Sequence, residues 1–203
     1  MNKSSFAPNL PNNPMSVMDA IYHRRSVRDY TPEKVSEASI HMLMYAAIQA
    51  PTAMHEEPWA FAVIQDRHLL DRLSETAKRT LWLQAQSEGS SGLARRSVTM
   101  ISDPAFNVFY NAGTLIVIYG KTRGPFTAAD CWLAAENLML AACAAGLGSC
   151  VIGLAAPALN TPEWKKRLDI PDGMTAYAPV LIGYPAEQPP PPSRKPPELI
   201  CWK

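Results

Sequence analysis

The chain has 203 residues, enough to bury one sizeable hydrophobic core, and its apolar content of 47% is ordinary for a globular domain. Its 19 basic and 18 acidic side chains give a formal net charge of +1. That balance argues against a broad basic surface for nucleic acid or for an anionic membrane, so any cationic function must be local. We expect a single domain across residues 1–203.

The first 14 residues contain three prolines and four asparagines, and they lack an apolar run of signal-peptide length. We therefore expect a flexible N-terminal segment on a cytoplasmic protein that does not enter the membrane. The four cysteines lack the paired spacing of a zinc site, so no metal is expected.

A basic cluster follows the first predicted helix. Ser16 and Asp19 have the spacing of a capping box, which predicts a short helix ending near His23. The next five residues, Arg24-Arg25-Ser26-Val27-Arg28, bring together three guanidinium groups and a hydroxyl. An anionic ligand would suit this cluster. The alternative is that the arginines only cap the helix, whose carboxyl end favours cations.

The middle of the chain alternates between helical and strand patterns. Apolar residues recur at helical spacing across 36–50, and a loop then leads through Pro58-Trp59 into an alternating strand at 60–65. Asp66 can cap the helix that follows. Residues 86–104 are rich in serine and glycine, which predicts a mobile connection or a lid.

The second half contains the most apolar elements. Residues 113–120 carry no charge and predict a central strand covered on both faces, and a further strand is predicted at 175–183. Thr127 and Asp130 form a second potential capping box, which would open a helix that runs to Ala145. Because this helix is apolar on nearly every side, we expect it to be surrounded, in part by a partner subunit.

The last 19 residues, 185–203, form a proline-rich arm. Seven of the thirteen residues from 185 to 197 are proline, so the arm is extended. It carries a second cationic pair, Arg194-Lys195, and ends in apolar residues at 199–202. We expect the arm to cross a surface and dock; the alternative is a solvated tail.

Four motifs occur in the same order as in one known family: the basic cluster, the Pro58-Trp59 turn, the glycine-containing segment at 146–153 and the terminal Arg194-Lys195-Pro196. Together they resemble the nitroreductase family over nearly the whole chain. The resemblance implies an α+β fold with a central, mainly antiparallel sheet surrounded by helices. It also implies an intertwined homodimer that holds FMN non-covalently at the subunit interface.

The resemblance further implies which residues bind the cofactor. Arg24 and Ser26 would bind the phosphate and ribityl chain, and Arg194 and Lys195 of the C-terminal arm would close on the phosphate. Arg28 would lie at the N1/O2 edge of the flavin ring, where negative charge appears on reduction. The full expected set is Arg24, Arg25, Ser26, Arg28, Pro51, Thr52, Ala53, His55, Val151, Ile152, Gly153, Arg194 and Lys195.

The two central stretches of that set have separate implied roles. The loop from Pro51 to His55 would reach over the flavin of the other subunit. The backbone of Val151, Ile152 and Gly153 would lie against the flavin ring, where a main-chain amide can meet N5.

The implied reaction needs no catalytic side chain, because the flavin is the reactive group. The protein would be an NAD(P)H-dependent FMN oxidoreductase, with a hydride passing from NAD(P)H through flavin N5 to a nitroaromatic, a quinone or a similar electron-poor acceptor. Donor and acceptor would use the same place in turn, in a ping-pong mechanism. The alternative is a protein that binds or senses flavin, or another phosphorylated ligand, without turnover.

Overall fold

The computed structural model describes residues 15–86, 98–121 and 124–203. Its helices include α1 (Val17–His23), α2 (Glu37–Ala47), α3 (Arg67–Gln86), α4 (Thr127–Ala144), α5 (Ala156–Leu159) and α6 (Pro162–Arg167). The strands of its sheet are β1 (Trp59–Ile64), β2 (Thr114–Gly120), β3 (Gly148–Val151) and β4 (Thr175–Gly183). The expected flexible segment at 1–14 lies outside the described residues, as does most of the expected lid.

Local capping explains where the first three helices begin. The Ser16 hydroxyl accepts a hydrogen bond from the Asp19 amide at 3.0 Å, so the predicted start of α1 is confirmed. The Ser36 hydroxyl accepts from the Ser39 amide at the start of α2 in the same way. At α3, the Asp66 carboxylate accepts from the Leu69 amide at 3.0 Å, as predicted.

The capping box predicted at α4 is wrong. Phe126 occupies the N-cap position and makes no side-chain cap hydrogen bond. The Thr127 hydroxyl instead accepts from the Gly124 amide, and the buried Asp130 carboxylate accepts from the Ala53 amide at 3.1 Å. Asp130 therefore ties a distant loop to the first turn of α4, where the helix dipole favours a carboxylate.

The sheet has the strand order β1-β2-β4-β3, and every neighbouring pair is antiparallel. Strand β2 lies between β1 and β4, and all seven of its residues are buried. The predicted central strand and the α+β class with an antiparallel sheet are thus confirmed. An uncharged run of this kind suits a strand that is covered on both faces.

Alternate residues of β2 face two separate cores. Leu115 and Val117 pack in a cluster with α3, α5 and α6, whereas Ile116 and Ile118 pack in a cluster with α2 and α4. The period of two along the strand divides these side chains between the two faces. Helices therefore cover both sides of the sheet.

In 15–86, 98–121 and 124–203, no helix has the length and apolar character needed to cross a membrane.

The described residues of the chain do not cover helix α4 completely, and the prediction that a partner subunit supplies the remaining cover stays a prediction. Trp132 is 42% exposed and Leu133 is 45% exposed. Helix α1, which contacts α4, also exposes large apolar side chains. These are Val17, Met18, Ile21 and Tyr22. The two helices thus present an apolar face that the single chain leaves open.

The segment 26–31 extends the edge of the sheet and joins the two ends of the chain. The Val27 amide donates to the Ser149 carbonyl of β3 at 3.0 Å, and the Thr31 amide donates to the Tyr184 carbonyl at 2.9 Å. The Ala186 amide then donates to the Asp29 carbonyl at 3.1 Å. The basic cluster and the start of the arm are therefore fixed to the same sheet edge.

Residues 188–203 of the arm form no helix or strand, and the apolar end of the arm is open to solvent. Leu199, Ile200 and Trp202 are 67%, 92% and 87% exposed. Docking of this apolar end thus requires a surface that the described residues of the chain do not supply.

Gly148 allows the basic segment to pack closely on β3. A Cβ atom there would lie 2.7 Å from Val27 Cγ2 and 3.0 Å from Pro185 Cγ. We predict that Gly148→Ala lowers the free energy of unfolding by about 1–3 kcal/mol, because the added methyl overpacks this site. Urea unfolding measures the change. Gly173→Ala is the matched control, since a Cβ there meets no atom within 4 Å; equal unfolding midpoints for both variants would contradict the prediction.

Candidate functional site

The basic cluster and the C-terminal arm form the walls of one cavity of about 380 Å³. Four guanidinium groups and one hydroxyl line it from both ends of the chain, and three prolines of the arm complete the wall. The lining residues are Arg24, Arg25, Ser26, Arg28, Pro189, Pro190, Pro192 and Arg194.

Two of the four arginines have hydrogen-bond or ion-pair partners among the described residues. Arg25 Nη1 donates to the Tyr22 carbonyl at 2.7 Å and to the Arg24 carbonyl at 2.9 Å, so this arginine does cap α1. Arg24 Nε lies 3.7 Å from Glu136 Oε1, and that carboxylate is half exposed. Capping therefore accounts for Arg25 alone, and the ion pair of Arg24 is long and solvent-screened.

Arg28 and Arg194 form no ion pair with a carboxylate in the part of the chain that the structure describes. The cavity therefore carries an excess of positive charge that internal carboxylates do not neutralise. Planar guanidinium groups present paired donors that match the oxygens of a phosphate. The arrangement is suited to a phosphate-bearing ligand.

Arginines that line the cavity also act on the pKa values of two cysteines, Cys143 and Cys150. Burial raises the pKa of Cys150, while Arg28, Arg24 and a hydrogen bond from Ser26 act in the opposite direction. Burial likewise raises the pKa of Cys143, and Arg24 and Arg25 oppose that rise. A cationic field stabilises any anion placed near it, whether a thiolate or a ligand.

Lys195 does not join Arg194 in the cavity. Both residues are exposed, but only Arg194 lines the cavity wall. The sequence alone could not separate the two, because the conformation of the arm determines which side chain points inward.

The loop that contains Pro51, Thr52, Ala53 and His55 does not line this cavity in the same chain. It lies beside the first turn of α4, where Asp130 holds the Ala53 amide. Met54 and His55 adopt left-handed backbone conformations with φ of 54° and 56°. Such conformations are uncommon for residues other than glycine, so the surrounding contacts must impose this shape.

Val151 ends strand β3, which pairs with the basic segment, and Ile152 and Gly153 follow it directly. The Ile152 side chain is buried in the core, and its amide donates to the Pro179 carbonyl at 2.8 Å. Gly153 is exposed, and a Cβ there would meet open space. Of the three, Gly153 has the backbone that is most accessible to a ligand.

Sequence reasoning missed one contribution to the site. Pro189, Pro190 and Pro192 of the arm are wall residues, which the proline run beside Arg194 could have indicated.

Comparison with known proteins identifies the family. Residues 21–184 match the Nitroreductase family model. A protein of Methanothermobacter thermautotrophicus, provisionally named NADH dehydrogenase/NAD(P)H nitroreductase, is 31% identical over 176 residues, which cover 86% of this chain and 80% of the relative. A protein of Archaeoglobus fulgidus with the same provisional name is 29% identical over 83% of this chain and 84% of its own.

The fold agrees with a solved structure of the same family. The crystal structure of a nitroreductase with bound FMN from Bacteroides fragilis superimposes with a TM-score of 0.77 and 26% identity. The alignment covers 93% of this chain and 98% of that one. Since the family model also spans more than half of the sequence, the chain belongs to the nitroreductase family.

Proposed function

We propose that the protein is an FMN-dependent oxidoreductase that uses NAD(P)H as its electron donor and holds FMN non-covalently. The observation that carries this proposal is the convergence of Arg24, Arg25, Arg28 and Arg194 on one cavity in a member of the nitroreductase family. The FMN bound to the Bacteroides fragilis relative and the NAD(P)H in the names of the archaeal relatives support it.

The residues of the cavity fit the phosphate end of FMN. Arg24 and Arg194 approach from opposite ends of the chain and can donate charge-assisted hydrogen bonds to phosphate oxygens, and Ser26 offers a hydroxyl to the phosphate or the ribityl chain. Arg25 is already fixed by its bonds to α1 carbonyls, so it adds a preorganised positive charge. The negative charge of the FMN phosphate would thus balance the excess positive charge of the cavity.

Arg28 has a different proposed role from the other arginines. We propose, from the family resemblance, that it lies at the N1/O2 edge of the flavin, where a fixed cation would favour the negatively charged reduced ring. Its lack of a carboxylate partner among the described residues is consistent with this role, because a neighbouring anion would cancel the effect.

We propose that the active form is a homodimer with the flavin at the subunit interface. The open apolar face of α1 and α4 and the exposed end of the arm support this proposal. The loop of Pro51 and Thr52 lies away from the cavity of its own chain, so its proposed contact with flavin is made to the partner's cofactor. The Gly153 backbone would meet the flavin bound to its own chain.

Bound FMN would supply the redox chemistry, with N5 as the atom that takes up hydride from NAD(P)H and gives it to an electron-poor acceptor. The proposed acceptors are nitroaromatic or quinone-like compounds, which would replace the nicotinamide in the same place. The residues of this chain bind the cofactor, orient it and set the charge near its ring. No acid–base side chain is required for hydride transfer itself.

Anaerobic reduction tests turnover directly. We predict that the yellow protein loses its visible flavin absorption when NADH or NADPH is added, and that a nitroaromatic or quinone then restores it. Steady-state rates should give parallel double-reciprocal lines, because donor and acceptor never bind together. Colour that persists with both nucleotides would favour the alternative of a flavin-binding protein without turnover.

The arm offers a matched pair of cations for testing the phosphate site. We predict that Arg194→Ala weakens FMN by about ten- to hundredfold and riboflavin far less, because the lost charge-assisted bond is worth about 1.5–3 kcal/mol. Arg24→Ala should show the same selectivity. Lys195→Ala is the control and should leave both affinities unchanged; equal weakening of FMN and riboflavin by Arg194→Ala would remove that residue from the phosphate site.

The apolar face can be tested with two leucines. We predict that Leu133→Glu shifts the protein from dimer to monomer and releases FMN, because the charge would be buried unpaired at the interface. Sedimentation velocity measures the change. Leu83→Glu, at a 63% exposed position on α3, should remain dimeric. A dimeric Leu133→Glu protein at the same concentration would place the interface elsewhere.

A further inference from the structure

A second cavity, of about 400 Å³, is lined by residues from the ends of α1 and α4 and from β3. Its volume is within the range of about 300–1,000 Å³ that is usual for small-molecule sites. It shares Arg24 and Arg25 with the basic cavity, but Ser26, Arg28 and Arg194 do not line it. The second cavity therefore adjoins the proposed phosphate site and lacks most of the residues assigned to that site.

The wall of the second cavity favours an anion. None of the described residues that line it is an aspartate or a glutamate. Glu136, whose carboxylate lies 3.7 Å from Arg24 Nε, is not among them. The Ala142 carbonyl at the end of α4 accepts from the Leu147 amide at 2.8 Å, so it already has a donor. The two arginines therefore set the sign of the charge in this cavity.

Ser149 supplies a buried hydroxyl to the second cavity. Cys150, the next residue of β3, packs in the cluster with α3, α5 and α6, so the Ser149 side chain faces the side of the sheet that α4 covers. Ser149 is only 2% exposed, and its hydroxyl forms no hydrogen bond within 15–86, 98–121 and 124–203. A buried hydroxyl without a partner is costly, and a bound ligand would supply the partner.

Apolar side chains form another part of the wall. They are Met15, Val27, Leu147 and Pro185. Val27 and Leu147 are buried, so the fold fixes them without a ligand. An apolar surface beside a cationic one suits a small organic anion better than a bare inorganic ion.

Cys143 adds a thiol to the same wall. It is partly exposed and forms no disulfide, so a small reagent that enters the cavity can reach it. Cys201 is exposed on the C-terminal arm and does not line the cavity. The chain thus carries one thiol inside the cavity and one outside it, which can be compared in the same protein.

We propose that the second cavity binds a small organic carboxylate with an apolar body. Arg24 and Arg25 would hold the carboxylate, since guanidinium groups present paired donors that match its two oxygens. The Ser149 hydroxyl would donate a further hydrogen bond, and the apolar body would lie against Val27 and Leu147. This inference does not depend on the proposed reaction, because it needs neither FMN nor NAD(P)H.

Two alkylating reagents of similar size test the preference for an anion. Iodoacetate carries a carboxylate, and iodoacetamide is its neutral analogue; with each of them the thiolate sulfur bonds to the methylene carbon and iodide leaves. Peptide mass spectrometry gives the ratio of the iodoacetate rate to the iodoacetamide rate at each thiol. We expect this ratio to be about tenfold higher at Cys143 than at Cys201. Equal ratios at the two thiols would overturn the proposal.

Protection by benzoate tests reversible binding. Benzoate should slow the alkylation of Cys143 by iodoacetamide to a saturating extent and leave Cys201 unaffected. Benzyl alcohol lacks the carboxylate and inorganic phosphate lacks the apolar body, so each should need a concentration about tenfold higher or more for the same protection. Protection by either compound at the concentration at which benzoate protects would overturn the proposal.

Two serines provide matched variants. Ser149→Ala should raise the benzoate concentration for half-protection about tenfold, because it removes a hydrogen bond to a charged group. Ser26→Ala, which changes only the basic cavity, should leave that concentration unchanged in the flavin-free protein. No change in Ser149→Ala, or an equal change in both variants, would overturn the proposal.

Saturating FMN separates the two cavities. Protection of Cys143 by benzoate should persist when FMN is present, since Cys143 and Ser149 do not line the basic cavity. If FMN abolishes that protection, the two cavities hold one ligand and the proposal is overturned. A protein that shows the benzoate effects but is not reduced by NADH or NADPH would contradict the proposed function and leave this inference intact.

Discussion

The pairing of residues 26–31 with one edge of the sheet is the constraint on which the site depends. Through it, Val27 bonds to Ser149, Thr31 to Tyr184, and Asp29 to Ala186 at the start of the arm. These backbone contacts need no ligand, so they bring the two cationic ends of the chain together before any cofactor binds. Folding alone therefore holds the four guanidinium groups close together against their mutual repulsion. FMN binding does not have to supply the free energy that brings them together. Gly148 makes this close approach possible, since any side chain there would meet Val27 and Pro185.

The charged groups divide into those that the protein uses for itself and those that it leaves available. Arg25 caps α1, and Asp130 holds a loop to α4. Arg67 and Asp71 hydrogen-bond to Asn111 and Asn107, at the two ends of the turn before β2. Arg28 and Arg194, in contrast, have no carboxylate partner in the described chain. This separation explains how a protein with a net charge of only +1 can concentrate positive charge in one cavity.

The sequence predicted the elements that local rules determine and failed where distant contacts decide. Ser16 and Asp66 cap helices as expected, because a hydroxyl or carboxylate three residues before a free amide is a local arrangement. Asp130 looked like a similar cap, but its carboxylate is taken by the Ala53 amide from a distant loop. The candidate site was predicted largely through the family resemblance, and that resemblance could not distinguish Arg194 from Lys195.

The central claim is that the basic cluster and the C-terminal arm form a single FMN phosphate site. Hydrogen–deuterium exchange of the flavin-free protein, measured with and without saturating FMN, tests it most directly. The account predicts that exchange slows together in peptides that cover 24–28 and in those that cover 193–195, over the same range of FMN concentration. Riboflavin should slow neither region to the same extent, because it lacks the phosphate. Protection of only one region, or equal protection by riboflavin, would contradict the claim.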